Sequence, residues 1–542
     1  MSLPALPPFR LLGLLVVSLL SFPAAESWAI ISLHDNVELE GFVQSQFVLR
    51  TPQYQGAQLV VQRNTLQLEN TWNFIQDGQT TLGNLSTGLI EEATFKLIYR
   101  FAYDSTYDLS DSRRDNFSQG RRDHLKYENW IREAYLDLAL PPITLRIGRQ
   151  QVIWGETDTF RALDVINPLD TSWHWAREPW EDLRFPLFMT RAVYDIGKFG
   201  PFEESFVEGI WIPGDFKRSR GCGNPDRPWC YYGSRRRGPV NTALVGGEVV
   251  DFVTEVRDKK PDWQLKNSEL GFRFKAVYGL VDFGLHYFWT LSDTTGVKVR
   301  TDRLGPITDN TLTVPIDLVN PRSHVVGVSA NYSEETYTQA VYRVEAAYTT
   351  GIPMRLGTRD PRGVPRRLDE DNNAYQTTEQ SLLMVAFDRP TWIRPLNGLR
   401  TFFITGQFFW EHFTDYNRFF RGVPSRHRAI DPRSGEPLPD RYLSVNTDRI
   451  FQDRVVATLS ASSSYGPGGL IQPLFAVAYN PLWTTFFNRL SVKYLYSNHL
   501  VFQLTHDIYW GKSTEESWFI GGRFGGGRNN RNETVFTAIF QF

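Results

Sequence analysis

The last ten residues of the chain, ETVFTAIFQF (Glu533–Phe542), alternate between two sets of side chains. One set is mostly aromatic and contains Thr534, Phe536, Ala538, Phe540 and Phe542. A period of two places successive side chains on opposite faces of an extended chain, so this segment predicts a β-strand with one strongly apolar face. Free chain ends are usually polar and frayed. We therefore expect this strand to be docked against another part of the protein.

The composition favours one large domain. The chain has 542 residues and lacks the polar linkers that normally separate domains. Aromatic residues make up 14% of it, yet the mean hydropathy is -0.34. Beyond the N-terminus no apolar run approaches the roughly 18 residues that a membrane helix needs. A net charge of -2 argues against general attraction to nucleic acid.

The N-terminus has the pattern of an export signal. Arg10 precedes the apolar run Leu11–Leu20, and Pro23 and small residues lead to Ser27-Trp28-Ala29. An apolar run of about ten residues is typical of a secretory signal peptide. We predict a signal peptide over 1–29, cleaved after Ala29, and one domain over 30–542.

The two cysteines lie close together in CGNPDRPWC (Cys222–Cys230). In an exported protein this spacing favours a local disulfide between Cys222 and Cys230, contributing roughly 2.5 kcal/mol by loop-closure entropy. A redox or metal pair is the alternative, but no CxxC motif occurs and no His lies nearby.

Alternation with a period of two recurs along the whole chain, for example in VDFGLHYFWTL (Val281–Leu291). A soluble sandwich and a membrane barrel both give this pattern. Many segments are ten or more residues long, which suits a tilted strand that crosses a bilayer. Short joins such as Pro141-Pro142 also alternate with long ones such as Gly155–Pro186. The fold predicted is an all-β transmembrane antiparallel barrel of about 16–18 strands with long extracellular loops.

Closure of such a barrel explains the C-terminal strand. In hydrocarbon every unpaired backbone group costs several kcal/mol, so the last strand must pair with the first. The tail with Phe536, Phe540 and Phe542 is similar to the assembly signal of bacterial outer-membrane proteins. The implied location is the bacterial outer membrane, and the implied partners are outer-membrane lipid and the β-barrel assembly machinery.

A less general resemblance lies in Trp130–Gly197. Its ordered motifs are Gly148-Arg149-Gln150, Trp154-Gly155-Glu156, Asp164-Val165-Ile166-Asn167-Pro168 and Arg184-Phe185-Pro186. This stretch resembles the Gram-negative outer-membrane family catalogued as domain of unknown function 1302, whose members are porin-like barrels. The resemblance implies traffic of hydrophobic or lipid-like compounds, in some bacteria beside a periplasmic carrier protein and an inner-membrane exporter.

The segment 155–186 is the main functional candidate, because a barrel of this size leaves an aqueous channel unless something folds into it. We predict that it folds inward as a constriction or plug. Alternatively, its charges pair with one another and its Trp residues anchor it at the membrane interface. The candidate residues in this segment are Glu156, Asp158, Arg161, Asp164, Trp173, Trp175, Arg177, Glu181, Asp182 and Arg184.

By the same alternation with a period of two, Arg146 and Gln150 are predicted to face the lumen, and Leu145 and Ile147 to face outward. An Arg facing mid-bilayer lipid would cost roughly 2–4 kcal/mol, so Arg146 is expected to point inward.

The leading functional hypothesis is an outer-membrane channel or transport component for small, hydrophobic or amphipathic molecules. A structural or scaffolding barrel that sheathes or docks a partner protein is the alternative. No catalytic Ser/His/Asp set and no metal-ligand spacing such as HExxH occurs in the sequence, so no enzymatic activity, metal or cofactor is expected.

Overall fold

The structure is a computed structural model of the chain. It describes residues 31–34, 36–51, 56–81, 83, 85–109, 118–158, 160–172, 178–221, 242–245, 248–300, 303, 306–309, 311–356, 375–417, 425–430, 437–445, 451–482, 485–511, 516–517, 522–523 and 532–542. The predicted signal peptide and both cysteines, Cys222 and Cys230, lie outside these residues.

Within the described residues, 18 antiparallel strands form one closed barrel. In chain order they are β1 (Val37–Arg50), β2 (Gln58–Gln76), β3 (Glu92–Asp104), β4 (Tyr127–Leu140), β5 (Ile143–Gln150), β6 (Leu187–Asp195), β7 (Glu204–Ile212), β8 (Glu269–Tyr278), β9 (Val281–Leu291), β10 (Arg322–Glu334), β11 (Ala340–Arg355), β12 (Tyr375–Thr391), β13 (Phe402–Phe413), β14 (Asp453–Ser462), β15 (Ile471–Asn480), β16 (Thr485–Leu495), β17 (Leu500–Gly511) and β18 (Glu533–Gln541). Each strand pairs with its neighbours in sequence.

The C-terminal strand closes the barrel against the first. In the register of β1 and β18, Val43 lies opposite Phe540 and Phe47 lies opposite Phe536. The backbone N–H of Gly41 donates to the carbonyl of Phe542 at 2.9 Å, and the N–H of Phe542 donates back at 3.0 Å. The docked terminal strand predicted from ETVFTAIFQF is therefore confirmed.

The two faces of the barrel wall have the polarity of a membrane barrel. On the outer face Leu285 and Leu504 are about half exposed, at 51% and 53%. On the inner face the carboxylate-bearing side chains of Glu208, Glu345 and Asp507 are completely buried. Apolar side chains outside and polar ones inside characterise a barrel that spans a bilayer, so the predicted fold class is confirmed.

The joins also follow the predicted plan. The chain termini and the short turns, such as Pro141-Pro142 and Gly279-Leu280, share one rim. The longest joins, 151–186, 213–268 and 414–452, all lie on the opposite rim. Outer-membrane barrels place their short turns in the periplasm and their long loops outside the cell.

Shorter elements lie between the barrel strands. The strands Thr242–Val245, Glu248–Asp258, Thr311–Val319 and Gly296–Val299 form a four-stranded sheet on the long-loop rim. Strand pairs Ser425–Ile430 with Pro437–Val445 and Glu516–Ser517 with Gly522–Arg523 form two small hairpins, and Ile31–His34 and Gln79–Thr80 extend the barrel sheet. The α-helices are Thr106–Leu109, Gln119–Lys126 and Trp180–Leu183, and the 3₁₀ turns are Leu265–Asn267 and Pro467–Gly469.

None of the helices among the described residues is long and apolar enough to cross a membrane.

Candidate functional site

The join between β5 and β6, residues 151–186, is called the inner loop, and its described residues, 151–158, 160–172 and 178–186, lie inside the barrel. Its two ends are tied together by Asn167, whose side chain is fully buried. The Asn167 amide accepts a hydrogen bond from the N–H of Val152 at 2.8 Å and donates to the carbonyl of Phe185 at 2.8 Å. Gln150, also fully buried, donates to the carbonyl of Met189 at 3.0 Å. These bonds fix the loop where it leaves the wall.

The middle of the inner loop is an excursion whose ends touch. A Cβ placed on Gly155 would lie 2.8 Å from the backbone nitrogen of Asp164, so only a glycine permits this approach. Residues 156–163 therefore leave and return at almost the same point, as in an Ω-loop. This excursion is called the tip.

Polar contacts hold the tip against the wall formed by β8 and β11. The buried carboxylate of Glu345 accepts hydrogen bonds from the backbone N–H groups of Glu156 and Leu163, the latter at 3.0 Å. The Glu156 side chain forms an ion pair with Lys275 at 3.1 Å. A carboxylate that accepts backbone N–H groups forms stronger hydrogen bonds than a neutral acceptor does.

The tip also carries apolar side chains into the wall. Phe160 meets Phe409 edge to face, with 5.2 Å between ring centroids. Leu163 packs where Gly327 leaves room for it, and a Cβ on Gly327 would collide with the Leu163 side chain. The buried cluster around them consists of Ala162, Ala347, Leu382, Met384, Ala386, Val456, Ala478 and Tyr509. The tip and the lumen face of β11–β17 thus share a small hydrophobic core.

A second core lies at the start of the inner loop. The Trp154 indole packs against Phe288, with 6.3 Å between centroids. A Cβ on Gly271 would lie 2.9 Å from this indole, so the indole can pack here only because Gly271 has no side chain. Its Nε1–H donates to Glu208 at 3.3 Å.

The returning limb of the loop lies against the opposite wall, formed by β2, β3 and β4. Arg63 pairs with Glu178 at 2.9 Å, and Arg100 pairs with Asp182. Arg132 donates to the backbone carbonyl of Glu181 at 2.6 Å. Burial raises the pKa of Glu178, an effect that Arg63 opposes. The three arginines are therefore used to hold the loop.

Some charged residues of the inner loop form ion pairs with one another. Arg184 pairs with Asp164 at 2.8 Å, and both side chains are nearly inaccessible. Arg161 donates to the carbonyl of Asn167 at 2.8 Å and lies 3.5 Å from the Asp164 carboxylate. The loop consequently contains a buried ionic centre that gives it a defined shape.

A cavity of about 410 Å³ lies beside the tip. Its charged residues are Asp158, Arg343 and Asp388, where Arg343 pairs with Asp158 at 2.6 Å and with Asp388 at 2.7 Å. The other residues that line it are Phe403, Thr405, Thr458, Leu459, Ser460, Ala476, Val477, Ala478 and Phe487. A space of this size, lined by both charged and apolar side chains, can hold a small amphipathic molecule.

Several residues predicted from the sequence lie elsewhere than this cavity. Arg146 is on the lumen side of β5 but binds Asp137 at 2.6 Å and lies over the ring of Tyr135, away from the tip. The remaining candidates, Trp173, Trp175 and Arg177, lie outside the residues that the structure describes.

Four wall residues at the tip were missed by sequence reasoning: Arg343, Glu345, Asp388 and Gln407. Gln407 donates to Asp158 at 2.7 Å across 249 positions of sequence. The one available signal was in AVYRVEAAY, where Arg343 and Glu345 share a face of an otherwise apolar strand.

Comparison with solved structures finds outer-membrane proteins of similar size. OccAB1 of Acinetobacter baumannii is 10% identical, with a TM-score of 0.45 over 93% of this chain and 96% of that one. OccK3 (OpdO) of Pseudomonas aeruginosa is 9% identical, with a TM-score of 0.42 over 94% and 97%. OpdK of the same organism is 8% identical, with a TM-score of 0.42 over 94% and 99%.

No curated protein matches the chain. A model of the family described as "Protein of unknown function (DUF1302)" matches residues 71–512, which confirms the resemblance predicted from Trp130–Gly197, and the chain belongs to this family.

Proposed function

We propose that the protein is an outer-membrane channel for small hydrophobic or amphipathic molecules. The observation that carries this proposal is the incomplete filling of the lumen. The inner loop crosses from β5 to the wall at β8–β13, yet it leaves a cavity of about 410 Å³ between Asp158 and β14–β16. A plug that served only stability would have no reason to leave such a space beside a charged residue.

The chemistry of the cavity supports an amphipathic solute. Asp158, Arg343 and Asp388 bring ion-paired charges to its lining, while Ala478 and Phe487 bring apolar side chains from β15 and β16. A molecule with a polar head and an apolar body can satisfy both kinds of side chain at once, whereas a strongly hydrated ion gains nothing from the apolar ones.

The cellular setting belongs to the same proposal. The apolar outer face would contact outer-membrane lipid, after export through a cleaved signal peptide and insertion by the β-barrel assembly machinery. A periplasmic carrier protein and an inner-membrane exporter are proposed partners, and this part rests on the family resemblance alone.

Excision of the tip tests the channel directly. Because Gly155 and Asp164 are in contact, residues 156–163 can be replaced by two glycines without stretching the chain. In planar bilayers the native protein should give single-channel steps, and the excised protein should give larger ones because the lumen is wider.

The control for this experiment is Phe408→Ala, a change at a 44% exposed residue on the outer face of β13, away from the tip and the cavity. This variant should keep the native step size. Absence of steps from both the native and the excised proteins, with both folded, would contradict the channel and favour a scaffolding barrel.

A further inference from the structure

We infer that the cavity beside the tip binds the ammonium head of amphipathic cations, and that the pore prefers cations to anions. The inference rests on the proposed channel function and names the class of solute. It follows from the exposure of the charged side chains at the cavity, from the ion pairs between them, and from the hydrogen-bond acceptors that these pairs leave available.

Asp158 carries the charge that faces the cavity. Its side chain is 54% exposed, whereas those of Arg343 and Asp388 are 12% and 15% exposed. Among the described residues, the hydrogen bonds to the Asp158 carboxylate come from Arg343 and Gln407 and both end on Oδ2. The second oxygen, Oδ1, is therefore available to a solute.

Arg343 cannot offer a comparable positive site. Its Nη2 donates to Asp158 and Asp388, its Nη1 donates to the carbonyl of Glu156, and its Nε lies 2.7 Å from Asp388. Asp388 is occupied in turn, since it also accepts from the hydroxyl of Thr405 at 2.7 Å. The three charged groups sum to one negative charge, located on the most exposed of them.

A buried acceptor lies next to Asp158. Gln407 is 4% exposed, and its Nε2 donates to the Asp158 carboxylate. Because a carboxylate only accepts, this bond fixes the orientation of the amide and turns Oε1 away from Asp158. Within the described part of the chain, Gln407 Oε1 has no hydrogen-bond partner. Because this oxygen is closed to solvent, the Gln407 amide orients the Asp158 carboxylate, and an alkylammonium group with its N–H donors would bind at Asp158 Oδ1.

Several arginines elsewhere in the lumen are already ion-paired. Arg63, Arg100 and Arg184 are each at most 6% exposed and pair with acidic residues of the inner loop. The more exposed arginines of the wall are also ion-paired, in the pairs Arg146–Asp137, Arg191–Glu208 and Arg489–Asp507. An anion that enters the lumen therefore meets paired arginines at these positions and an exposed carboxylate at the tip.

The test measures reversal potentials of single channels in a KCl gradient. The native channel should prefer K⁺ to Cl⁻. The variant Asp158→Asn should reduce the K⁺/Cl⁻ permeability ratio about sixteenfold, because one unit charge at about 5 Å in water favours K⁺ about fourfold and disfavours Cl⁻ about fourfold. Asp158→Glu, which keeps the charge, should retain the preference.

Asp77→Asn is the matched control, because it removes the same charge from an exposed turn between β2 and β3. Asp77 has a φ of +50°, a conformation that Asn also tolerates. This variant should leave the permeability ratio unchanged.

Hexylammonium and hexanoate, added at equal concentration, then test the head group. Hexylammonium should reduce the K⁺ current, hexanoate should not, and Asp158→Asn should abolish the reduction. Channels that show no cation preference, or that hexanoate blocks equally well, would overturn this inference and leave the channel standing. Absence of channels would overturn both, and a heat-dependent shift in electrophoretic mobility shows that each variant has folded.

Discussion

Removal of the Phe160 ring should release the tip from its seat. Phe160 is 9% exposed and packs on Phe409, which is 1% exposed. Replacing a buried Phe by Ala costs about 3 kcal/mol at the low end of measured values. At about 1.4 kcal/mol per tenfold change, this loss raises the population with a displaced tip by roughly two orders of magnitude.

Thiol labelling can measure this population. Ala162 is 4% exposed in the seated tip, so a cysteine placed there reacts only when the tip is displaced. The reporter is Ala162→Cys in a Cys222→Ser, Cys230→Ser background, treated with a small methanethiosulfonate reagent. When displacement and return are faster than the reaction, the labelling rate follows the displaced population. Adding Phe160→Ala should accelerate labelling by the roughly hundredfold factor derived above.

Two controls isolate the effect. Leu89→Cys, at a position that is 84% exposed, should react rapidly with and without Phe160→Ala. Phe408→Ala, an equal truncation on the outer face of β13 at a position that is 44% exposed, should leave the rate at Ala162→Cys unchanged. If Phe160→Ala does not accelerate labelling in a folded barrel, the small core beneath the tip does not hold it, and the reasoning is refuted.

Three further perturbations address the other contacts. Gly271→Ala should lower stability by about 1–3 kcal/mol, because its methyl group would lie 2.9 Å from the Trp154 indole; the temperature at which the folded electrophoretic band disappears measures this. Arg63→Met should lower the same temperature, since it leaves Glu178 buried without its 2.9 Å partner, a loss of about 3–5 kcal/mol. Deletion of Phe542 removes both closing hydrogen bonds to β1, so a smaller fraction of the protein should reach the folded, heat-modifiable form in isolated outer membranes.

The architecture could be predicted because alternation is a local property. About ten residues of alternating pattern are enough to predict the two faces of a strand. The tail with Phe536, Phe540 and Phe542 predicts the closing strand in the same way. The inner loop was also predictable as a segment, because a long charged join follows the short strand β5.

The partners of the inner loop could not be predicted in the same way. Asp158 meets Arg343 across 185 positions of sequence and Gln407 across 249. No local pattern specifies such pairs, because they depend on how far the loop reaches across a lumen whose width is set by the whole barrel. The sequence placed carboxylates and arginines in one segment, but only the fold separates those that hold the loop from the one that faces the cavity.

Polar side chains face the lumen along most of the barrel wall, but not beneath the tip. This pattern holds at Gln503 and Thr505 of β17, whose polar side chains hydrogen-bond to each other. It does not hold beneath the tip, where Met384, Phe409 and Val456 face inward and are almost completely buried. The reason is physical: the tip excludes water from these positions, so both faces of the strand meet apolar surroundings.

Strands with apolar residues on both faces therefore mark the area that an inward-folded loop covers. SLLMVAF in β12 is a nearly continuous apolar run, of the kind otherwise found in strands buried on both sides. In β16 and β17 the lumen positions of the segments NRLSVKY and FQLTHD are all polar, although Asn488 and His506 interrupt the apolar face. The contrast separates β12, whose lumen face the tip covers, from β16 and β17, where Phe487 and Tyr509 reach the same core while neighbouring lumen positions stay polar. Loss of alternation in a barrel strand therefore indicates which part of the lumen wall is covered by an inward-folded loop and closed to water.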